Sequence, residues 1–353
     1  MASTTAAPNA TRSDSAAPEL AATRADPARR VAACARQSRA RAPKFVHSRP
    51  FPLSTRRRAC TPGEYVAQEV AILPADTATP APGIYLNLPD HIYHQRDQWC
   101  LSSSQARRLW WSGITPRQFR HEQLHGSPDT DTLEFGRAVH TVTLGSGPKL
   151  VRLDFKDWRS NKAKEQRRRH RLAGEIPLLP PSFAKAHAMA AAVREHPALI
   201  PLLARGWQEV SFYWPDPLTG LMLRARPDWL HPSTDDHGVT VVDLKTTDSA
   251  DPDDFAWSVL RYGYHLQQHW YTQAILAAGM WVRRFLFAAV SKHPPHVVSV
   301  CELYPDDLAA AAEENRRAIN LYDACLRTDD WPAHGDDVHL IRLPRRANLR
   351  HLH

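Results

Sequence analysis

The sequence predicts an α/β fold, a mixed central sheet with helices on both faces. Three observations point there. Strand-like stretches with short loops fill 207–246, a helical pattern follows from Gly263 to about Ala278, and two more strand stretches precede a long closing helix from Pro305 to about Leu326. Strands interleaved with helices in this order are the pattern of a layered α/β domain.

The elements can be justified in chain order. Residues 1–62 are rich in Ala, Pro, Ser, Thr and Arg and read as a disordered basic tail, because such a composition buries too little apolar surface to offset its ordering entropy. Residues 63–98 form an extended, Pro-rich lead-in. The folded domain is expected over 99–345, with a short C-terminal tail at 346–353. Ser102, Ser103 and Ser104 precede a helical pattern through Ala106, Leu109, Trp110 and Ile114, as N-capping residues do. Leu133 to Leu144 reads as a helix with Phe135, Val139 and Val142 on one side and His140 within it. An Ala-rich helix covers 182–196.

Val210, Phe212 and Trp214 alternate, so Trp207–Trp214 is a strand. Leu221–Leu230 is a second strand, 231–238 carries turn chemistry, and Val239–Thr246 is a third, which together predict an antiparallel three-strand meander. Strands near 281–290 and 296–303 follow the Gly263 helix.

Composition narrows the function. The chain has 353 residues, 43% of them apolar, enough to bury a sizeable core. No apolar run approaches the roughly 18 residues a membrane helix needs, so a soluble protein with no membrane partner is expected. The five cysteines, Cys34, Cys60, Cys100, Cys301 and Cys325, are odd in number and form no C-x-x-C pair. They argue against a disulfide framework, a zinc ribbon or an iron–sulfur cluster, and predict a cytoplasmic location. The net charge of +8 belongs to the tail: residues 1–62 hold 12 Lys and Arg against 3 Asp and Glu, whereas the other 291 hold 33 against 34. The tail has three readings. It is an arm touching nucleic acid through Arg29, Arg30 and Arg56 to Arg58, or a transit-like segment, against which Asp14, Glu19 and Asp26 count, or a stretch without a role.

The chemistry centres on R-A-R-P-D, Arg224 to Asp228, and V-V-D-L-K-T-T, Val241 to Thr247. In a strand, residues i and i+2 share a face. Asp243 and Lys245 therefore point one way while Val242 and Leu244 pack behind, and the turn brings Asp228 beside Asp243. Two carboxylates and an ammonium at one point suit a hard divalent cation and a phosphate. Asp-x-Lys alone is a weak signal, since Asp154-Phe155-Lys156 has the same spacing. The second copy differs by its upstream Asp228 and by the helix that follows, where Gln267 and Tyr271 stand at i and i+4.

The ordered set G-R-A-V-H, E, R-P-D, D-L-K-T-T and Q-x-x-x-Y resembles the PD-(D/E)xK (restriction-endonuclease-like) nuclease superfamily. Within it the chain looks like the exodeoxyribonuclease VIII (RecE)-type branch of phages and prophages, more distantly related to lambda exonuclease. The resemblance covers roughly residues 83–345, from G-I-Y-L-N-L-P to the W-P at Trp331.

The resemblance implies a PD-(D/E)xK core and magnesium-dependent hydrolysis of duplex DNA from its ends, 5′ to 3′, in phage-type recombination, with manganese able to substitute. It implies that His140, Asp228, Asp243 and the backbone carbonyl of Leu244 hold the metal, with Glu209 a further candidate. Lys245 matches the catalytic lysine, and Gln267 and Tyr271 the pair lining the site. Relatives close into homo-oligomeric rings and work beside a RecT-like single-strand annealing protein. Asp243 stands where Glu is commoner, and Gly145 where many relatives place an acid.

Candidate DNA contacts are Arg224 and Arg226 by strand parity, and Arg167, Arg168 and Arg169 in the basic run 156–171, which reads equally as a solvated charged face. Ser102 and Ser104 either grip a phosphate or cap the helix. Two other functions compete: a PD-(D/E)xK endonuclease of restriction or repair type, and a catalytically silent DNA-binding module on the same fold.

Overall fold

The computed structural model describes residues 79–126, 130–234, 238–335 and 337–341. The tails expected at 1–62 and 346–353, and the start of the lead-in, lie outside the described residues.

The elements run in the order β1 (Gly83–Tyr85), α1 (Asp90–Tyr93), β2 (Cys100–Ser102), α2 (Ser103–Trp110), α3 (Pro116–His125), α4 (Asp131–Leu144) and β3 (Leu150–Arg152). Then come α5 (Asn161–Leu172), β4 (Ile176–Leu178), α6 (Pro180–Arg194), α7 (Ile200–Leu203), β5 (Trp207–Gln208), β6 (Ser211–Pro215), β7 (Met222–Ala225) and β8 (Trp229–Pro232). Last are β9 (Gly238–Thr247), α8 (Pro252–Tyr262), α9 (Tyr264–Ala277), β10 (Trp281–Ser291), β11 (Val298–Cys301) and α10 (Pro305–Thr328).

The site is built on a mixed five-stranded sheet in the order β11-β10-β9-β8-β5. Strands β9 and β10 are parallel and joined through α8 and α9, while β8–β9, β5–β8 and β10–β11 are antiparallel. β9 is buried along most of its length and β10 from Phe285 to Ser291, because both faces are covered, as expected of parallel strands. On one face Val239, Val241, Phe285 and Phe287 pack with Trp270, Ile275 and Tyr322 from α9 and α10. On the other Val242, Leu244, Ala288 and Val290 pack with Val139 of α4 and Met189 of α6. Helices therefore sandwich the sheet, and residues of alternate parity on β9 face different layers.

The expected meander forms, but it is broken across two sheets: 207–215 pairs antiparallel with 222–230, and 229–232 pairs antiparallel with 239–242. The first two predicted strands are each cut and shared between two sheets: β6 and β7 pair in a four-stranded sheet ordered β1-β6-β7-β2, whereas β5 and β8 belong to the five-stranded one. Two local features make the cuts. Glu209 sits at φ 48°, which ends β5, and Pro227 lacks the N–H that would continue the β7 ladder into β8. Gly206 is needed where the chain enters β5, since a Cβ there would stand 2.4 Å from the Leu230 carbonyl oxygen.

The described part of the lead-in, from residue 79, is more than extended chain. β1 pairs with β6, and Leu88, Ile92 and Tyr93 are buried against Cys100 and Tyr213. Apolar residues spaced among the prolines give this stretch a core of its own. The basic run is helix α5, and α3 and α8 were not anticipated, although Thr115-Pro116 and Asp251-Pro252 are N-cap and N1 signatures.

Candidate active site

Asp243 lies in the middle of β9 and is fully buried. An isolated carboxylate there would be costly, so its partners define the site. Lys245 Nζ pairs with its Oδ1, and Gln267 Nε2 donates to its Oδ2 at 3.2 Å. Gln267 also reaches the Tyr271 hydroxyl at 3.0 Å. Both come from α9, so the layer behind the sheet holds the carboxylate in place. Burial drives the Tyr271 pKa well above its ordinary value, which keeps it a neutral phenol.

Asp228 directly follows Pro227, and the β8–β9 register (Trp229 opposite Val242) brings it level with Asp243. Its Oδ2 accepts the Leu244 N–H at 2.7 Å and lies 3.4 Å from His140 Nδ1. His140 reaches in from α4 on the opposite layer, so the two helical layers meet at this end of the sheet. Burial is the main cause that raises the Asp228 pKa to about 6, with the Asp243 charge adding to it; His140, Lys245 and the Leu244 N–H oppose. Two acids crowded this closely leave a deficit of positive charge.

Glu209 continues the same row. Its backbone N–H donates to the Asp228 carbonyl at 2.9 Å, and its Oε2 accepts from Ser146 Oγ at 2.7 Å. It lies on the kink between β5 and β6, not within a strand. His140, Glu209, Arg137, Thr246, Tyr264 and Lys292 are among the residues around a cleft of about 440 Å³. His94 also borders it; burial, then the Arg226 charge, lower its pKa to about 4, so it is a neutral imidazole at pH 7.

The proposed DNA contacts fall in different places. Arg226 is 8% exposed, with its guanidinium bound to Ser211 Oγ, Asp90 Oδ1 and the Leu88 carbonyl. Arg224 is 4% exposed, over the Tyr93 ring and bonded to the Gln95 carbonyl. Both tie the lead-in to the sheet, and Arg226 also borders the cleft around His140. Arg167 packs over Trp158 and, with Arg171, closes on Asp131 and buried Glu134. Arg168 pairs with Glu165 on the exposed side of α5, and Arg169 bonds to Gln166. Ser102 is the N-cap of α2, accepting the Gln105 N–H in a capping box, with Ser104 Oγ 3.1 Å from its hydroxyl.

Tyr264 was missed. Its ring lies 4.6 Å beneath Lys245 Nζ, a cation–π contact that helps fix the lysine. The signal was present: Tyr264, Gln267 and Tyr271 are spaced i, i+3, i+7, one face of a helix.

Among the described residues no group of three or more His, Cys, Asp or Glu side chains is closed into a cage. The donor chemistry nevertheless fits a hard divalent cation. Asp228 and Asp243 offer carboxylate oxygens, His140 an imidazole, and Gln267 Oε1 is buried without a hydrogen-bond partner. A cation here would favour the charged form of Asp228, which burial and the Asp243 charge disfavour.

Comparison with known proteins bears on the same residues. A solved structure described as a "putative exonuclease" from Eubacterium rectale superposes with a TM-score of 0.49 at 16% identity, covering 75% of this chain and 99% of that one. No curated protein matches the chain. Residues 115–344 match the model of a PDDEXK-like domain of unknown function (DUF3799), a span that includes His140, Asp228, Asp243, Lys245, Gln267 and Tyr271. The protein thus belongs to this PDDEXK-like family, within the PD-(D/E)xK nuclease superfamily.

Proposed function

We propose that the protein is a divalent-metal-dependent DNA nuclease that degrades duplex DNA from its ends, 5′ to 3′, with magnesium as its cation. The observation that supports this most is the buried edge where Asp228, Asp243 and Lys245 meet. His140, Asp228, Asp243 and the Leu244 carbonyl would hold the cation, with Glu209 next to them. When bound, the cation polarises a phosphate and lowers the pKa of a coordinated water.

The chain's own residues do the rest. Lys245, gripped between Asp243 and the Tyr264 face, holds a positive charge where negative charge develops on the phosphate. Gln267 and Tyr271 position Asp243 and exclude water behind it. The Leu244 N–H fixes one Asp228 oxygen. None of these groups reads a base edge, so cleavage without sequence specificity is expected. Service in recombination, a ring-shaped oligomer and a single-strand annealing partner belong to the same proposal.

Digestion of three substrates with magnesium tests it: a linear 5′-phosphorylated duplex, the same duplex labelled at its 3′ ends, and a closed circular plasmid. Loss of the linear DNA, late release of the 3′ label and intact plasmid are expected. Nicked or linearised plasmid would establish an endonuclease instead. Binding without cleavage would point to a silent module.

A further inference from the structure

The cleavage centre leaves one neighbouring feature unused. Beyond Lys245, β9 continues to Thr247, and α8 folds back beside this exit. The hollow between them, about 250 Å³, is lined in part by Lys245, Trp257, Arg261, Tyr262, Tyr264 and Lys292. It shares Tyr262, Tyr264 and Lys292 with the cleft around His140, so the two are neighbours.

Its floor is a flight of near-parallel rings. Phe287 is fully buried, Tyr264 stacks on it at 6.1 Å and 27°, and Tyr262 lies 5.6 Å from Tyr264 at 30°. The flight passes beneath Lys245 Nζ and ends in solvent at Tyr262, 53% exposed, while Trp257, 73% exposed, lines the same hollow. Phe255 and Val259 already anchor α8 in the core, so neither exposed ring is needed for packing. Arg261 is exposed, and Lys292 pairs at 3.2 Å with the exposed Asp248, a partner that a phosphate can replace. Asp248 and Asp254 border the same hollow, which limits the net positive charge and makes stacking the larger part of the attraction.

We propose that this hollow binds one unpaired nucleotide of the strand being cut, its base stacked on Tyr262 and Trp257 and its phosphate met by Arg261 and Lys292. The proposal rests on the nuclease reading and deepens it, by making an unstacked strand end the substrate. A base within a duplex has both faces covered by its neighbours and a terminal base has one, so a base held between two exposed rings is one that has left the stack. The hollow is smaller than the pockets that enclose drug-sized ligands, which suits a single base better than a base pair. Stacking tolerates any base, in keeping with cleavage that reads no sequence.

The test separates this site from the cleavage centre. In EDTA, fluorescence anisotropy measures binding of a short labelled oligothymidylate and of the same oligonucleotide with abasic sugars. The wild-type chain should prefer the intact strand by about tenfold or more, the loss typical of one base–aromatic stack. Trp257→Ala with Tyr262→Ala should abolish that preference, while Trp257→Phe with Tyr262→Phe should restore most of it, with far-UV circular dichroism unchanged in both. With magnesium, the alanine pair should lose activity on blunt duplexes more than on duplexes with a 5′ single-stranded overhang. Equal binding of intact and abasic strands by the wild-type chain, or an undiminished preference in the alanine pair, would overturn the proposal and leave the nuclease reading standing. A wild-type chain that cuts no DNA yet prefers intact strands would overturn the nuclease reading alone.

Discussion

The chain contains the tripeptide pattern Asp-x-Lys twice after an apolar run, and the two copies could hardly differ more. Asp154 follows β3, at the edge of a two-stranded sheet; its side chain is 75% exposed and pairs only with Arg152, at 2.9 Å. Asp243 lies in the middle strand of the five-stranded sheet, is fully buried, and is held by Lys245 and Gln267 beside a second carboxylate. The spacing is the same and the chemistry is not. What makes a reactive constellation is the low-polarity surrounding, which strengthens every charge–charge interaction, together with partners fixed by helices on both sides of the sheet.

The largest expected effect tests that contrast at the lysines. Lys245→Ala should lower kcat for duplex cleavage by about a hundred- to a thousandfold, the loss typical of one preorganised electrostatic group, and Lys156→Ala should leave it unchanged. Steady-state cleavage assays of both variants check this. Comparable activities would erase the distinction between the two copies.

Buried and exposed carboxylates should separate in stability as well. Glu134 is buried between Arg167 and Arg171, so Glu134→Ala removes the buried partner of both guanidinium groups, leaves them Asp131, and should cost about 2 kcal/mol in denaturant unfolding. Glu165 pairs with Arg168 in solvent, and Glu165→Ala should leave the unfolding midpoint unchanged.

Asp228 sharpens the comparison through pH. Its pKa is raised to about 6 in the folded chain, against about 3.9 when unfolded, so the folded state binds the proton more tightly. The associated stability is fully present below about pH 4 and is lost as pH rises through about 6. In EDTA, thermal unfolding of the wild-type chain should therefore shift to lower temperature across that window, by up to about 3 kcal/mol. Asp228→Asn should remove this dependence and be the more stable chain at pH 8. Added magnesium should stabilise the wild type at pH 8 far more than at pH 5, because a protonated Asp228 is a poor ligand.

The smallest effect concerns a residue with two readings. Ser102 closes a capping box, so Ser102→Ala should cost about 1 kcal/mol of stability, measured by denaturant unfolding. An unchanged stability combined with weakened DNA binding would transfer the serine to the phosphate-contact role.

Much of the site's scaffold was legible because strand parity is local information. Asp243 and Lys245 on one side, Val242 and Leu244 on the other, follow from a period of two, and the two core clusters carry the same division. The Gln267 and Tyr271 pairing follows from the helical period in the same way. The sheet assignment was not legible. Alternating apolar residues at 207–214 and 221–230 say that these stretches are strands without saying that each serves two sheets; only the Glu209 kink and Pro227 divide them. Strand parity places Arg224 and Arg226 toward the active face as phosphate contacts, but nothing in their own strand reveals that Tyr93, Asp90 and Leu88, more than a hundred residues earlier, close over them. Burial supplied from a distant part of the chain is invisible to a periodicity argument.

The central claim, that surroundings and not spacing make Asp243 the reactive copy, is tested most directly by one paired assay. Linear duplex DNA is incubated with magnesium and either Asp243→Asn or Asp154→Asn, with folding of both confirmed by circular dichroism. The account predicts that Asp154→Asn cleaves as the wild type does and that Asp243→Asn does not cleave. Full activity in Asp243→Asn, or loss of activity in Asp154→Asn alone, would contradict it.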